Sequence, residues 1–257
     1  MIENLKYRVA SMVKKSPKTY DLFLRVKRSG AKERCLKAYS AMKGDSVSFL
    51  QIGANDGLWY DPIRYFAVWK KWTGLLCEPI AESYSALKYN YAHVNNAALE
   101  FRQVAVSVGG SAKLELFRMD AEWLGRLPED RKMSLLRKTS FDRNHLLQFI
   151  SEDESAYVRS DSVPAMSLEA LWKCCSIESA CPEVLVMDLE GLEAALLTSQ
   201  DFVAFHPELI LLEHAHMSTE HKNKVSDKLS EAGYTCFEFY PDSVAIDRDI
   251  ASEMSNV

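Results

Sequence analysis

Much that would place this 257-residue chain quickly is missing from it. No stretch approaches the roughly 20 apolar residues that span a bilayer. The opening MIENLKYRVASMVKK breaks its apolar residues with polar ones, which argues against a secretory signal. The six cysteines (Cys35, Cys77, Cys174, Cys175, Cys181, Cys236) form no C-x-x-C pair, so structural zinc is not expected. A reduced, cytoplasmic compartment is the expectation instead. No repeat or low-complexity tract occurs, which excludes fibrous and disordered classes. There is no G-x-G-x-x-G, and no Gly-Lys-Ser/Thr follows a glycine turn. Those two absences argue against a nicotinamide dinucleotide and against ATP.

What is there suits one large domain, or one domain with an appendage. The hydrophobic fraction of 47 % is ample for a buried core. Residues 1–43 hold 12 Lys and Arg against three Asp and Glu, so within a total of -5 the remainder carries -14. The division expected is a basic helical arm over 1–44 and a main domain over 45–257. The arm reads either as a solvated face or as a patch for acidic lipid or a phosphate-bearing carrier. The second reading allows a peripheral membrane-surface contact through residues 1–43. An acidic body without a binding motif argues against nucleic acid.

After residue 45 strands and helices alternate. Strands are expected at 47–52, 74–77, 100–106, 183–187 and 208–212, and helices at 61–72, 81–91, 189–198 and 219–232. Such alternation predicts an α/β fold, a mainly parallel sheet with helices on both faces. Residues 112–119 read as a half-exposed strand. Residues 120–163 read as an insertion without a clear strand, helical around 141–150. The tail, 234–247, reads as a hairpin giving the sheet an antiparallel edge.

Ligands of open parallel sheets sit at the carboxyl ends of the strands. Four strands end in chemistry there. The first runs from Gln51 into Gly53-Ala54-Asn55-Asp56-Gly57, a turn so bare that it suggests a ligand lying against it. The second ends in Glu78-Pro79, where a carboxylate can accept from ribose hydroxyls. The third ends in Asp188-Leu-Glu190-Gly191 and the fourth in Glu213-His214. Acids seldom follow a buried strand without a partner or a task.

GANDG, then EP, then MDLEGLEAALL, then PELILLEH, in this order over residues 47 to about 240, resemble the FkbM family of S-adenosylmethionine-dependent methyltransferases. The resemblance implies a Rossmann-like class I methyltransferase fold and acceptors that are mostly hydroxyls of sugars or polyketides. It implies that Gly53, Ala54, Asn55, Asp56 and Gly57 form the methionine-and-ribose turn, with Glu78 and Pro79 at the ribose. Ile80 would flank the adenine, and Ala105 and Val106 would meet the base. Asp188 would lie near the cofactor's amino group or the acceptor. One departure is Gln51, where many relatives carry an acid; an amide can still bind the turn or the ammonium.

The reaction expected is O-methylation of a sugar, a glycan or a related natural product, whether a small molecule or carrier-linked. A hydroxyl acceptor needs a base. His214 is the first candidate, oriented by Glu213 or Glu190; His216 and His221 come after it. Asp188, Glu213 and His214 could instead offer a divalent metal three ligands. Trp59, Tyr60 and Trp123 could stack on a sugar ring. A D/N-P-P-Y/F turn is absent, which disfavours base N-methylation. A non-catalytic cofactor- or glycan-binding module, and an oxidoreductase, are the alternatives.

Overall fold

The computed structural model describes residues 16–26, 30–44, 46–58, 61–136, 138–189, 192–199, 202, 205–214 and 217–255. Strands β1 (Ser48–Ile52), β2 (Thr73–Cys77), β3 (Leu99–Arg102), β7 (Val184–Met187) and β8 (Leu209–Glu213) pair in parallel. Then β10 (Asp242–Asp247) pairs antiparallel with β8 and with the edge strand β9 (Tyr234–Phe239), giving the order β3-β2-β1-β7-β8-β10-β9. The parallel sheet and its antiparallel C-terminal hairpin are as expected. A second sheet, β4-β6-β5, joins Ala105–Val106, Val158–Met166 and Lys113–Met119.

The central strands are apolar on both sides because helices cover both faces. Phe49, Leu76, Val184, Val186, Leu209 and Leu211 face one layer. It holds α2 (Ala31–Lys43), the π-helical turn Phe66–Lys70 and α3 (Ala81–Tyr91). Leu50, Leu75, Leu185, Met187, Ile210 and Leu212 face the other. There lie α7 (Leu168–Lys173), α8 (Glu193–Leu197) and α9 (Thr219–Glu231). Alternation along a strand therefore assigns each rim residue to a side.

Several expectations change. Of the helix expected over 61–72, only residues 64–70 are helical, the last five as a π-helical turn closed by Lys71 at φ 58. The strand expected over 100–106 splits, with its last two residues crossing to the second sheet. A nine-residue strand, β6, begins within the insertion and runs past its end to Met166, paired along all of β5. Its sequence, VRSDSVPAM, conceals it, since only Val163 and Ala165 are buried. Between β5 and β6 lie α4 (Ala121–Leu124), α5 (Glu129–Leu136) and α6 (Arg143–Leu147), packed around Met119, Leu124, Leu135 and Leu146.

Residues 31–43 are helical as expected, and this helix packs into the same core as the sheet. Leu36 and Tyr39 are fully buried, and the Tyr39 hydroxyl donates to Glu208 at 2.7 Å. The preceding helix α1 (Pro17–Val26) is tied in by a buried ion pair, Arg64 to Asp21 at 2.5 Å. The expected helical pattern of residues 1–15 lies outside the described residues.

Candidate cofactor and acceptor site

The turn after β1 is held from below and from both sides. The Gly53 and Ala54 amides both donate to the Cys77 carbonyl, at 3.0 and 2.9 Å. Gly53, Asn55 and Gly57 all take positive φ (76°, 49° and 64°). A Cβ on Gly53 would stand 1.9 Å from the Asp188 carbonyl oxygen, and one on Gly57 2.4 Å from Leu87 Cδ1. The bareness of the turn therefore has its cause inside the chain: neighbouring strands and α3 close against these glycines.

Glu78 ties the turn to the end of β2. It is 4 % exposed, and its two oxygens accept one amide each, Asn55 N–H and Ile80 N–H, both at 2.9 Å. Each oxygen keeps a second lone pair for a ligand hydroxyl. Burial pushes its carboxyl up to about 7 against the pull of those amides. Beyond it, Ile80 packs against the cluster of Ala105, Leu116, Val163 and Ala165. Val106 turns away into the layer of α7. Next in line, Ser107 is fully buried and its hydroxyl has no hydrogen-bond partner among the described residues.

The β7 and β8 ends bring carboxylates together. Asp188 donates its backbone N–H to the Ile52 carbonyl at 3.0 Å, which sets β7 beside the turn. Burial first, and then the charges of Glu213, Glu193, Glu78 and Asp242, push Asp188 up to about 8. Glu193, itself buried, accepts the Leu189 N–H at 2.6 Å. Burial, Asp242 and Glu193 also raise Glu213, while Lys32 and Lys138 oppose them. Lys32, from the first turn of α2, contacts Asp242 at 2.5 Å.

His214 does not join this group. Leu211 and Glu213 share one face of the sheet, whereas Leu212 and His214 share the other. His214 lines a small cavity beneath α9 with Met217, Lys222, Val225 and Ser243. Its Nδ1 lies 2.5 Å from the Ser243 hydroxyl, and burial lowers its pKa. Neither the base role oriented by Glu213 nor the metal set Asp188, Glu213 and His214 is assembled. Glu190, Gly191, His216, Trp59 and Tyr60 lie outside the described residues. His221 is in α9, and Trp123 stacks on Tyr157 within the insertion, 5.0 Å between centroids.

The model of the Methyltransferase FkbM domain matches residues 51–236, more than half of the chain. The chain belongs to the FkbM methyltransferase family. Family membership implies S-adenosylmethionine-dependent methyl transfer, and the sheet order above is the Rossmann-like class I arrangement. No curated protein matches the chain. Among solved structures, Methyltransferase FkbM from Methylobacillus flagellatus KT is similar at 14 % identity and a TM-score of 0.46, over 79 % of this chain and 44 % of that one. The chain thus spans less than half the length of that protein. Precorrin-6y C5,15-methyltransferase from Geobacter metallireducens GS-15 is similar at 10 % identity and a TM-score of 0.40, over 82 % and 86 %. The chain also resembles a METTL16 methyltransferase domain at 11 % identity and a TM-score of 0.43, over 82 % and 63 %.

The site fits the family's cofactor. Glu78 has lone pairs to offer a ribose, and among the described residues two buried polar atoms, Gln51 Oε1 and Ser107 Oγ, have no hydrogen-bond partner. Pattern reading missed Asp61, Ser107, Glu193, Asp242, Lys32 and Lys138. Asp61 was visible only as a helix start beside Pro62. Lys32 and Asp242 are 210 positions apart, and no local signal links them.

Proposed function

We propose that this FkbM-family chain methylates a hydroxyl group of a sugar, glycan or related natural product, with S-adenosylmethionine as donor. The observation that carries the oxygen acceptor is the carboxylate pair at the β7 and β8 ends, on the turn's side of the sheet. When bound, the cofactor supplies the electrophilic methyl group and a thioether leaving group. The chain supplies alignment and a base. Asp188, at about 8, keeps its proton at neutral pH. Glu213, raised by the same crowding, is left as the base that takes the acceptor's hydroxyl proton. Glu78 orients the ribose and Ile80 and Ala105 flank the base.

Within residues 16–44 much basic charge is engaged internally: Arg25 lies over Trp69, Lys37 over Tyr65, and Lys43 pairs with Glu208. A contact with a phosphate-linked carrier would rest on Lys6, Arg8, Lys14 and Lys15. The test is transfer of labelled methyl from S-adenosylmethionine to a panel of nucleotide sugars, free glycans and lipid-linked glycans, followed by fragmentation of the product. Methyl on oxygen supports the reading. Methyl on nitrogen or carbon overturns it, and a folded protein that fails to bind the cofactor supports a non-catalytic module. Removing residues 1–15 should weaken transfer to the lipid-linked acceptor alone.

A further inference from the structure

Arg64 is a fully buried cation behind the turn that follows β1. Its guanidinium lies over the Tyr91 ring, 4.7 Å from the centroid. Nη1 donates to the Gly57 carbonyl at 2.8 Å, and Nη2 donates to the Asn90 carbonyl at 2.9 Å. The Asn90 side-chain amide in turn donates to the Asp56 carbonyl at 2.8 Å. One linked set of donors thus holds the last two carbonyls of the turn. The counter-charge comes from another element. Asp21 of α1 accepts from Arg64 Nε at 2.5 Å and from Nη2 at 3.1 Å. His93 Nε2 lies 2.7 Å from the same carboxylate, and Trp69 Nε1 donates to the Asp21 carbonyl at 3.0 Å.

Asp61 is close enough to interact with the Arg64 charge, but its oxygens are committed elsewhere. Oδ1 accepts from Gln51 Nε2 and from the Ile63 and Arg64 amides, at 3.3, 2.9 and 3.1 Å. Oδ2 accepts the Tyr91 hydroxyl at 2.7 Å. If α1 lifts away, Arg64 loses the carboxylate that compensates it. A buried charge left without its partner is strongly unfavourable, so the guanidinium follows Asp21 toward water. The Gly57 and Asn90 carbonyls then lose their donor. A neutral amide could hold the Gly57 carbonyl with no such dependence, as the Asn90 side chain holds that of Asp56. A charged donor makes the shape of the turn conditional on a residue 43 positions earlier in the chain.

Resting on the reading of this turn as the S-adenosylmethionine site, we infer that Arg64 is a positioning residue for the cofactor turn, and that Asp21 makes its grip depend on α1 being docked. Docking of α1 and binding of the cofactor are then linked. Lifting α1 weakens the cofactor, and the cofactor strengthens the docking of α1 by the same factor.

The experiment separates this role from that of a structural ion pair. The proteins are the full-length wild type, Asp21→Leu, Arg64→Met and the double variant. Urea unfolding measures their stability, and calorimetry measures their affinity for S-adenosylhomocysteine. Asp21→Leu strands the guanidinium and should be the least stable. The double variant replaces the pair with apolar side chains and should recover most of that loss. Its affinity should nevertheless stay about tenfold below wild type, the size of a lost hydrogen bond from a charged group. Affinity that returns together with stability would make the pair merely structural and overturn the inference. A second measurement needs no variant. Saturating S-adenosylhomocysteine should slow amide hydrogen exchange in residues 17–26 of the wild type about tenfold, by the same linkage. Exchange there that ignores the ligand would overturn the coupling, whatever the variants do. A wild type that does not bind S-adenosylhomocysteine would instead refute the cofactor reading itself, and this inference with it.

Discussion

Replacing Glu78 with glutamine should change how the stability of this protein depends on pH. The ordinary carboxyl value is 4.5, and burial raises it to about 7 in the fold. The native state therefore binds the proton more tightly than the unfolded chain does. Between these values the native state carries more protons, so stability falls as pH rises. The favourable contribution is complete below 4.5 and gone once pH has passed about 7. A shift of this size corresponds to about 3 kcal/mol, at roughly 1.4 kcal/mol per pH unit. The group is almost wholly buried, so little of this is screened. Glutamine cannot titrate, and the slope disappears. It also turns an NH2 toward either the Asn55 or the Ile80 amide, leaving one buried donor unsatisfied, a fixed cost of about 1–3 kcal/mol. Urea unfolding of both proteins at pH 5 and pH 7.5 measures each part separately. The wild type should lose about 2 kcal/mol more than Glu78→Gln across that interval, since part of the contribution is already gone at pH 5. Parallel losses in the two proteins would refute the buried, amide-bound carboxyl described for the turn.

Three further outcomes test other parts of the structure. Gly57→Ala should destabilise by roughly 2–4 kcal/mol, because φ is 64° and the new Cβ meets Leu87 and Tyr91; thermal unfolding unchanged from wild type would disprove the close packing. Asp21→Ala strands the Arg64 guanidinium, which is fully buried and also donates to the Gly57 and Asn90 carbonyls. It should cost about 3–5 kcal/mol in a denaturant titration, and a loss below about 1 kcal/mol would show that α1 is dispensable. With an acceptor in hand, Glu213→Gln should lower kcat about 100-fold or more. His214→Asn should leave kcat within about threefold. Wild-type kcat should rise with pH through a value above the ordinary carboxylate range, since burial and neighbouring acids raise Glu213. The reverse ranking of the two variants would return the base role to the histidine.

The strands at 48–52, 73–77, 184–187 and 209–213 were legible because a strand buried on both faces is apolar at most positions. The hairpin at 234–247 was legible from Pro241-Asp242 between two strand-like runs. β6 was not, because a strand exposed along most of one side has no apolar signature of its own and owes its place to β5. Asp61 showed the same limit at the site. Its cap role follows from the neighbouring proline, but its hold on Gln51 depends on where the chain next passes.

Sequence alone determined the fold class, the family, and the turn and acids that gather at one rim, since these follow from local pattern and motif order. Only the tertiary structure decided which of those groups face one another. A one-residue step along β8 sends Glu213 and His214 to opposite sides of the sheet, and the mutual crowding of Asp188, Glu193, Glu213 and Asp242 arises from strands far apart in the chain. Charge and burial act through space, so the protonation states at this rim are properties of the fold.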